Sequence, residues 1–454
     1  MTVIWAEHAL LPGGWADNVR VELDTDGRIA KVEAEAAPGG EQVGLLLPAM
    51  VNLHSHAFQR AMAGLSEARG PQPRDTFWTW RQIMYRFLDH LTPQDVEAIA
   101  ALVQMEMLEA GYATNVEFHY LHHRPGGAPY NNIAEMSERI AAAAARTGIG
   151  LTLLPVHYQF GGVDRRPLGP GQQRFGTTPD SFAALLDAAE AALRHLPADA
   201  GIGVAPHSLR AVSPEALTLC ASLRPDRPLH MHLAEQLPEI EEVQAARGRR
   251  PVEWLLDHYS PDRRWTLIHL THMTKDETRR LAATGAVAGL CPITESSLGD
   301  GIFNGTVWKD ARGRLGFGSD SNVRISLVEE LRTLEYSQRL RDTARAVLAE
   351  PGRSTGRVVY EAGLDGGATA AGRDTGAIAA GLWADLCAVS LNNPVLYGRK
   401  GDERLDSLIF AGHDGLVKDV WAAGRHVVRD GRHIDHDRII VDYLTCIGQL
   451  KERM

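Results

Sequence analysis

Histidine and carboxylate residues recur at the ends of short apolar runs in this chain. Residues 47–60 read Leu47-Pro-Ala-Met-Val-Asn-Leu-His-Ser-His-Ala-Phe-Gln-Arg60, an apolar stretch that delivers His54 and His56. Strand side chains alternate faces, so positions i and i+2 point the same way. Two neutral imidazoles on one face are half of a zinc site. Taken alone, the pair reads equally well as two surface or core histidines. Three further runs follow the same rule: Leu229-His-Met-His-Leu-Ala-Glu235 carries His232 with Glu235 three residues on, Trp265-Thr-Leu-Ile-His269 ends in a histidine, and Leu315-Gly-Phe-Gly-Ser-Asp-Ser-Asn322 carries Asp320. The chain holds 19 histidines, so any single coincidence is cheap; four ordered strand-end candidates with a carboxylate at fixed offset are not. His230 shares a strand face with His232 and is the alternative ligand, but only His232 has Glu235 at the third position. Asp320 could instead cap a helix, and Glu235 could be an ordinary acid at a helix start.

Such residues need a frame that brings strand ends together. Between residues 47 and 376, apolar strand-like runs alternate with capped helical segments, and eight strands can be counted. Thr92-Pro-Gln-Asp opens one helix, which Gly111 stops, and Ser213-Pro-Glu-Ala opens another. Strands are expected at 114–120, 150–157 and 202–207, and helices at 133–146, 179–196, 252–259, 275–284 and 327–348. Repeated βα units of this kind predict a (β/α)8 TIM barrel, whose strand C-termini share one rim. A doubly wound sheet is the structural alternative, but no GxGxxG opens a helix. Residues 1–46 and 377–454 read as short strands with Gly-rich turns, predicting one small β-sandwich domain built from both termini. Residues 161–178, rich in Gly, Pro, Arg and Gln, read as a long rim loop able to serve as a lid.

The chain has 454 residues, 44% hydrophobic and 23% charged, with a net charge of −10. That balance is ordinary for a globular protein and argues against nucleic-acid or anionic-membrane partners. The four cysteines, Cys220, Cys291, Cys387 and Cys446, lie far apart, so disulfides and thiolate zinc sites are not expected and a reduced cytoplasm fits. No signal-peptide pattern opens the sequence and no apolar run approaches 18 residues.

The HxH motif, the histidine with Glu three later, the further strand-end histidine and the strand-end Asp resemble the amidohydrolase superfamily, in its mononuclear deaminase branch. The resemblance spans the whole chain. Dinuclear members carry a carboxylated lysine at a strand end; here the candidate positions hold His119, His157 or His207, so one metal is implied. The resemblance implies a Zn2+ ion held by His54, His56, His232 and Asp320, one per subunit, a ligand set of three imidazoles and a carboxylate that suits zinc and leaves room for water. It assigns Glu235, His269 and Asp320 to proton transfer and water orientation. The stretches Phe77-Trp-Thr-Trp-Arg81 and Pro206-His-Ser-Leu-Arg210 resemble those of relatives acting on a small acidic amidine. Arg81 and Arg210 would then grip carboxylates bidentately, with Gln59, Tyr120 and His207 adding hydrogen bonds. Phe77, Trp78 and Trp80 could wall the pocket, although packing is the plainer reading; His119, His122 and His123 are expected at the rim or surface, and His272 in a loop. A homodimer is the family expectation. The competing readings are a deaminase of a heterocyclic amine, which would want an aromatic pocket with few arginines, and a metal-free structural homologue.

Overall fold

The computed structural model describes residues 2–68 and 77–454; the side chains of Phe77 and Trp78 lie outside that description. Eight parallel strands make the central barrel. They are Met50–Ser55, Tyr112–His119, Gly150–His157, a fourth split into Gly201–Ile202 and Ala205–Pro206, then Leu229–Leu233, Trp265–His269, Val287–Leu290 and Arg314–Phe317. The first four pair in one parallel ladder and the last four in another. Parallel bridges Val204↔Leu229 and Ser208↔His232 close one seam, and Ser55↔Asp320 closes the other. Nearly every strand residue is buried, which is why the strands read as continuous apolar runs rather than alternating ones.

The second seam depends on a glycine. A Cβ at Gly318 would stand 2.7 Å from the His54 carbonyl oxygen. Only glycine lets the eighth strand pass close enough for the Asp320 amide to donate to that same oxygen, at 2.9 Å.

Helices between the strands begin where the capping residues predict. Thr92 and Asp95 cap Pro93–Glu109 reciprocally, and Ser213 caps Pro214–Ser222. One expected helix is shorter than its apolar pattern suggests: Leu327–Asp342 stops at Thr343, which adopts φ +49°, because the buried Glu335 carboxylate accepts from the amides of Val347 and Leu348 and folds the chain back. The helix Thr355–Ala371 packs on the first and last barrel strands and closes the barrel floor. Its glycines permit that contact, since a Cβ at Gly366 would overlap the Leu315 carbonyl at 1.9 Å.

The termini share one eight-stranded sheet. Strands Thr2–Leu11, Gly14–Leu23, Ile29–Glu33 and Glu41–Pro48 join Leu386–Val389, Val417–Ala422, Arg425–Arg429 and Arg432–His433 through the antiparallel pairing of Glu41–Pro48 with Leu386–Val389. The sheet folds over itself, Arg28 bridging Trp383, and encloses a core of Ile4, Val21, Ile29, Leu46, Leu386 and Trp421. The last 78 residues are not all strand: Glu403–Ala411 and His436–Arg453 are helices, and Arg453 docks the latter on the barrel by gripping Asp95 at 2.8 and 2.9 Å. All four cysteines are free and buried. Among the described residues no helix is long and apolar enough to cross a membrane.

Candidate metal centre and substrate cavity

The first, fifth and eighth strands end at one point on the barrel rim. His54 and His232 bring their Nε2 atoms to 3.2 Å. The Asp320 Oδ1 lies 3.2 Å from His56 Nε2 and 3.5 Å from His54 Nε2. One ligand atom from each of these four residues falls within 4.8 Å of every other. Ligands about 2.0–2.1 Å from a tetrahedral ion stand about 3.3 Å apart, so the donor set fits a single divalent metal. The far side of two rings is already committed. The Nδ1 of His56 contacts the Phe118 carbonyl at 2.9 Å and the Nδ1 of His232 contacts the His207 carbonyl at 3.1 Å. A carbonyl there accepts the Nδ1 proton, which fixes the tautomer and leaves Nε2 as a lone-pair donor. Burial pushes His54 down to about 3 and, with the neighbouring imidazoles, pushes His232 well below the ordinary histidine value. Both are therefore neutral, as a metal ligand must be.

Two acids, Glu235 and Glu295, and a further histidine surround this set. His269, at the end of the sixth strand, places Nε2 3.8 Å from Glu235 Oε1 and 3.9 Å from Asp320 Oδ2. Its Nδ1 meets Glu295 Oε1 at 3.2 Å. Burial opposes a proton on His269, but Glu235, Glu295 and Asp320 outweigh it and raise its pKa to about 10. Burial raises the Glu235 carboxyl, against the pull of His269 and of Arg210, whose Nη2 lies 3.4 Å away. Burial also acts on Asp320, yet the His54, His56 and His269 rings packed against its carboxylate hold it well below the usual carboxylate range. The backbone here is strained. Ala234, His269, Leu270, Asp320 and Asn322 all adopt positive φ, between +46° and +73°. Such conformations are costly for residues with a Cβ and cluster at working sites.

The other end of the cavity is made by loops and one helix. The whole cavity, from this end to the metal corner, is lined by His56, Gln59, Trp80, Arg81, Met84, Tyr120, Tyr158, Phe175, His207, Arg210, His232, Glu235, His269, Leu298 and Asp320. Arg81, on the helix Phe77–Leu88, donates to the Tyr158 hydroxyl at 2.8 Å. Gln59 donates to the Tyr120 hydroxyl at 2.7 Å. Thus His54, His56, Gln59, Arg81, Tyr120, His207, Arg210, His232, Glu235, His269 and Asp320 all lie on this one cavity or directly against it, while the side chains of Phe77 and Trp78 lie outside the described residues.

Some expectations change. His230 shares a face with His232 but lies one layer lower, where its Nε2 contacts the Ala370 carbonyl at the end of the floor helix, 2.8 Å away. His119, His122 and His123, expected at the rim or surface, are buried. The 161–178 segment covers them, with Arg174 accepting at its carbonyl from both the His122 and His123 amides. Arg174 is itself buried, donating to the carbonyls of His123 and Leu88. Sequence reasoning missed Glu295, Glu239 and Tyr158. Glu239 accepts from the amides of Ala234 and Glu235 at 3.2 and 3.0 Å, and so sets the strained turn that aims Glu235. Its place three residues after Gln236, at the start of the helix Leu237–Arg247, is a readable helix-start signal; nothing in the sequence marked Tyr158.

Comparison with known proteins agrees with this geometry. Residues 45–427 match the model of the amidohydrolase family, and residues 1–43 match that of the formimidoylglutamate deiminase HutF N-terminal domain. The formimidoylglutamate deiminase of Pseudomonas aeruginosa is 48% identical over 454 residues, covering 99% of this chain and 100% of that one. The 8-oxoguanine deaminase of the same organism is 29% identical over 426 residues, 89% of each chain. The crystal structure of an amidohydrolase from Brucella melitensis superposes with TM-score 0.95 at 47% identity, over 99% of this chain and 100% of that one. An adenosine deaminase from Xanthomonas campestris, solved with zinc bound, shares the fold with TM-score 0.83 at 20% identity, over 99% of this chain and 98% of that one.

Proposed function

The chain belongs to the amidohydrolase family, and from that premise we propose that it hydrolyses N-formimino-L-glutamate to N-formyl-L-glutamate and ammonia, a step of L-histidine breakdown. The carrying observation is that two guanidinium groups, Arg81 and Arg210, share one cavity with a four-residue metal set. A substrate with two carboxylates and an amidine matches that pairing, because Arg forks grip carboxylates. The full-length likeness to the Pseudomonas deiminase supports the same reading. A flat neutral heterocycle offers no carboxylate for either guanidinium to grip.

His54, His56, His232 and Asp320 would hold one zinc ion per subunit, which suits a site of three imidazoles and a carboxylate. When bound, the metal supplies Lewis acidity that makes water nucleophilic near neutral pH. His269 orients the attacking water from the side opposite Glu295. Glu235, kept protonated more readily by its burial, donates a proton to the imino nitrogen as water adds to the amidine carbon. Asp320 takes the water's proton and passes it to the departing nitrogen. As the carbon–nitrogen bond breaks, the hydroxyl proton of the adduct returns to Glu235, ammonia leaves and the formyl group remains on the glutamate nitrogen. Gln59, Tyr120 and His207 complete the polar lining around the two arginines.

The test is ammonia release from N-formimino-L-glutamate by the zinc-loaded protein, with the organic product identified. N-formyl-L-glutamate is the expected product. Formamide with free glutamate would overturn the assignment of the bond cleaved, and no turnover by zinc-loaded protein would overturn the substrate. Elemental analysis of the purified protein distinguishes zinc from iron and from no metal.

A further inference from the structure

Tyr158 follows the third strand, is buried to 3% exposure and lines the substrate cavity. Its hydroxyl oxygen accepts two hydrogen bonds, from Arg81 Nη2 at 2.8 Å and from Gln172 Nε2 at 2.8 Å. The Gln172 amide cannot be turned round. Its Oε1 accepts from the Gly169 amide at 2.9 Å, so the NH2 group faces the phenol. Both neighbours of the hydroxyl are therefore donors, and its own proton can go to neither. Among the described residues nothing accepts that proton.

A buried hydroxyl with an unspent donor costs free energy unless a ligand takes it. The direction is fixed by the surroundings. The Tyr158 ring packs on His207 with centroids 4.5 Å apart, and His207 stacks on His232 at 4.9 Å. These steps lead from the metal corner outward along the length of the cavity. At their outer end the phenol O–H stands beside the Arg81 guanidinium, both donors, so the ligand portion that takes the phenol proton must be an acceptor.

We propose that the Tyr158 hydroxyl, held by Arg81 and Gln172, donates a hydrogen bond to a substrate carboxylate and is a specificity-determining residue for a dicarboxylate amidine. The inference rests on the deiminase reading and extends it to a residue and to its support. Gln172 is the positioning residue, which makes the short helix Pro170–Phe175 part of substrate selection.

The test compares wild type and Tyr158→Phe on N-formimino-L-glutamate and on its two analogues lacking one carboxylate each. A charge-assisted hydrogen bond of this kind should make Tyr158→Phe lower kcat/KM for the diacid about ten- to hundredfold, chiefly through KM. One analogue, lacking the carboxylate that Tyr158 meets, should show no loss. Gln172→Glu should be worse than Tyr158→Phe on the diacid, since a carboxylate there captures the phenol proton and repels the substrate. Equal losses on all three substrates, or none on the diacid, would overturn the inference. Failure of the deiminase reading appears separately, as no ammonia from the diacid with wild type. Calorimetric binding of glutarate then decides: weaker binding by Tyr158→Phe upholds the inference and equal binding overturns it.

Discussion

The two ends of the cavity are built differently. At the metal corner the functional side chains sit on strand ends, and the groups that orient them are backbone carbonyls and buried acids. Phe118 and His207 offer carbonyls to His56 and His232, and Glu295 holds His269. At the outer wall the side chains come from the helix Phe77–Leu88, the segment 158–178 and, with Gln59 and Tyr120, the residues just beyond the first and second strands, and they orient one another. Arg81 and Gln172 meet on Tyr158, and Gln59 meets Tyr120. Anchoring to the main chain fixes atoms whose placement the chemistry cannot relax. Anchoring side chain to side chain lets recognition change by exchanging a few rim residues, as barrel enzymes commonly do.

Substitutions that break the comparison at its rigid end should cost most. His232→Ala should abolish stoichiometric metal, read by elemental analysis, and lower activity about 10⁴-fold or more, because nucleophile and proton path fail together. Glu235→Gln should keep its metal and lower kcat by about 10²–10⁴-fold, the usual worth of a positioned proton donor; an unchanged kcat would remove Glu235 from the mechanism. Arg81→Ala tests the adaptable end. It should raise KM for the diacid about ten- to hundredfold with a smaller change in kcat, whereas a pure kcat loss would show that the wall is as chemically committed as the corner.

The smallest effect concerns Glu295→Gln in metal-free protein. His269 has a folded pKa of about 10, above its usual 6.5. The stability this gives is fully present below pH 6.5 and is lost as pH rises through about 10. Removing one of the carboxylates that lift it should lower Tm by about 2 °C at pH 6 and by less as pH approaches 10. A constant difference across that range would mean that Glu295 acts only through packing.

Legibility in the sequence divides along the same line. The barrel could be read because buried parallel strands leave continuous apolar runs, and because His54 and His56 close one such run while His232, His269 and Asp320 close one each. The outer wall was harder. Arg81 and Arg210 were found only through resemblance of their surrounding motifs, and Tyr158 carries no periodic or compositional mark. Its role depends on Gln172, fourteen residues on, arriving in an irregular loop. The floor helix Thr355–Ala371 contains Gly356, Gly363, Gly366 and Gly367, residues that lower helix propensity. Close contacts require them, Gly366 against Leu315 and Gly316, Gly363 against Met50 and Phe317, Gly367 against Val51 and Gly356 against Leu405 and Asp406, so tertiary packing overrode the local signal. The terminal helix His436–Arg453 was hidden because neighbouring short strands set the reading of the whole segment.

The shared terminal sheet imposes an order on synthesis. Strand Glu41–Pro48 leaves the ribosome early, but one of its edges stays open until Leu386–Val389 arrives to pair with it. At about 5–20 residues per second that interval lasts roughly 20–70 seconds. Throughout it an unpaired strand edge is available to other nascent chains, the kind of exposure that leads to aggregation. The barrel lies wholly within the interval. A shortage of metal that slowed its closure would therefore be felt first in the yield of folded protein, through a strand that never touches the metal.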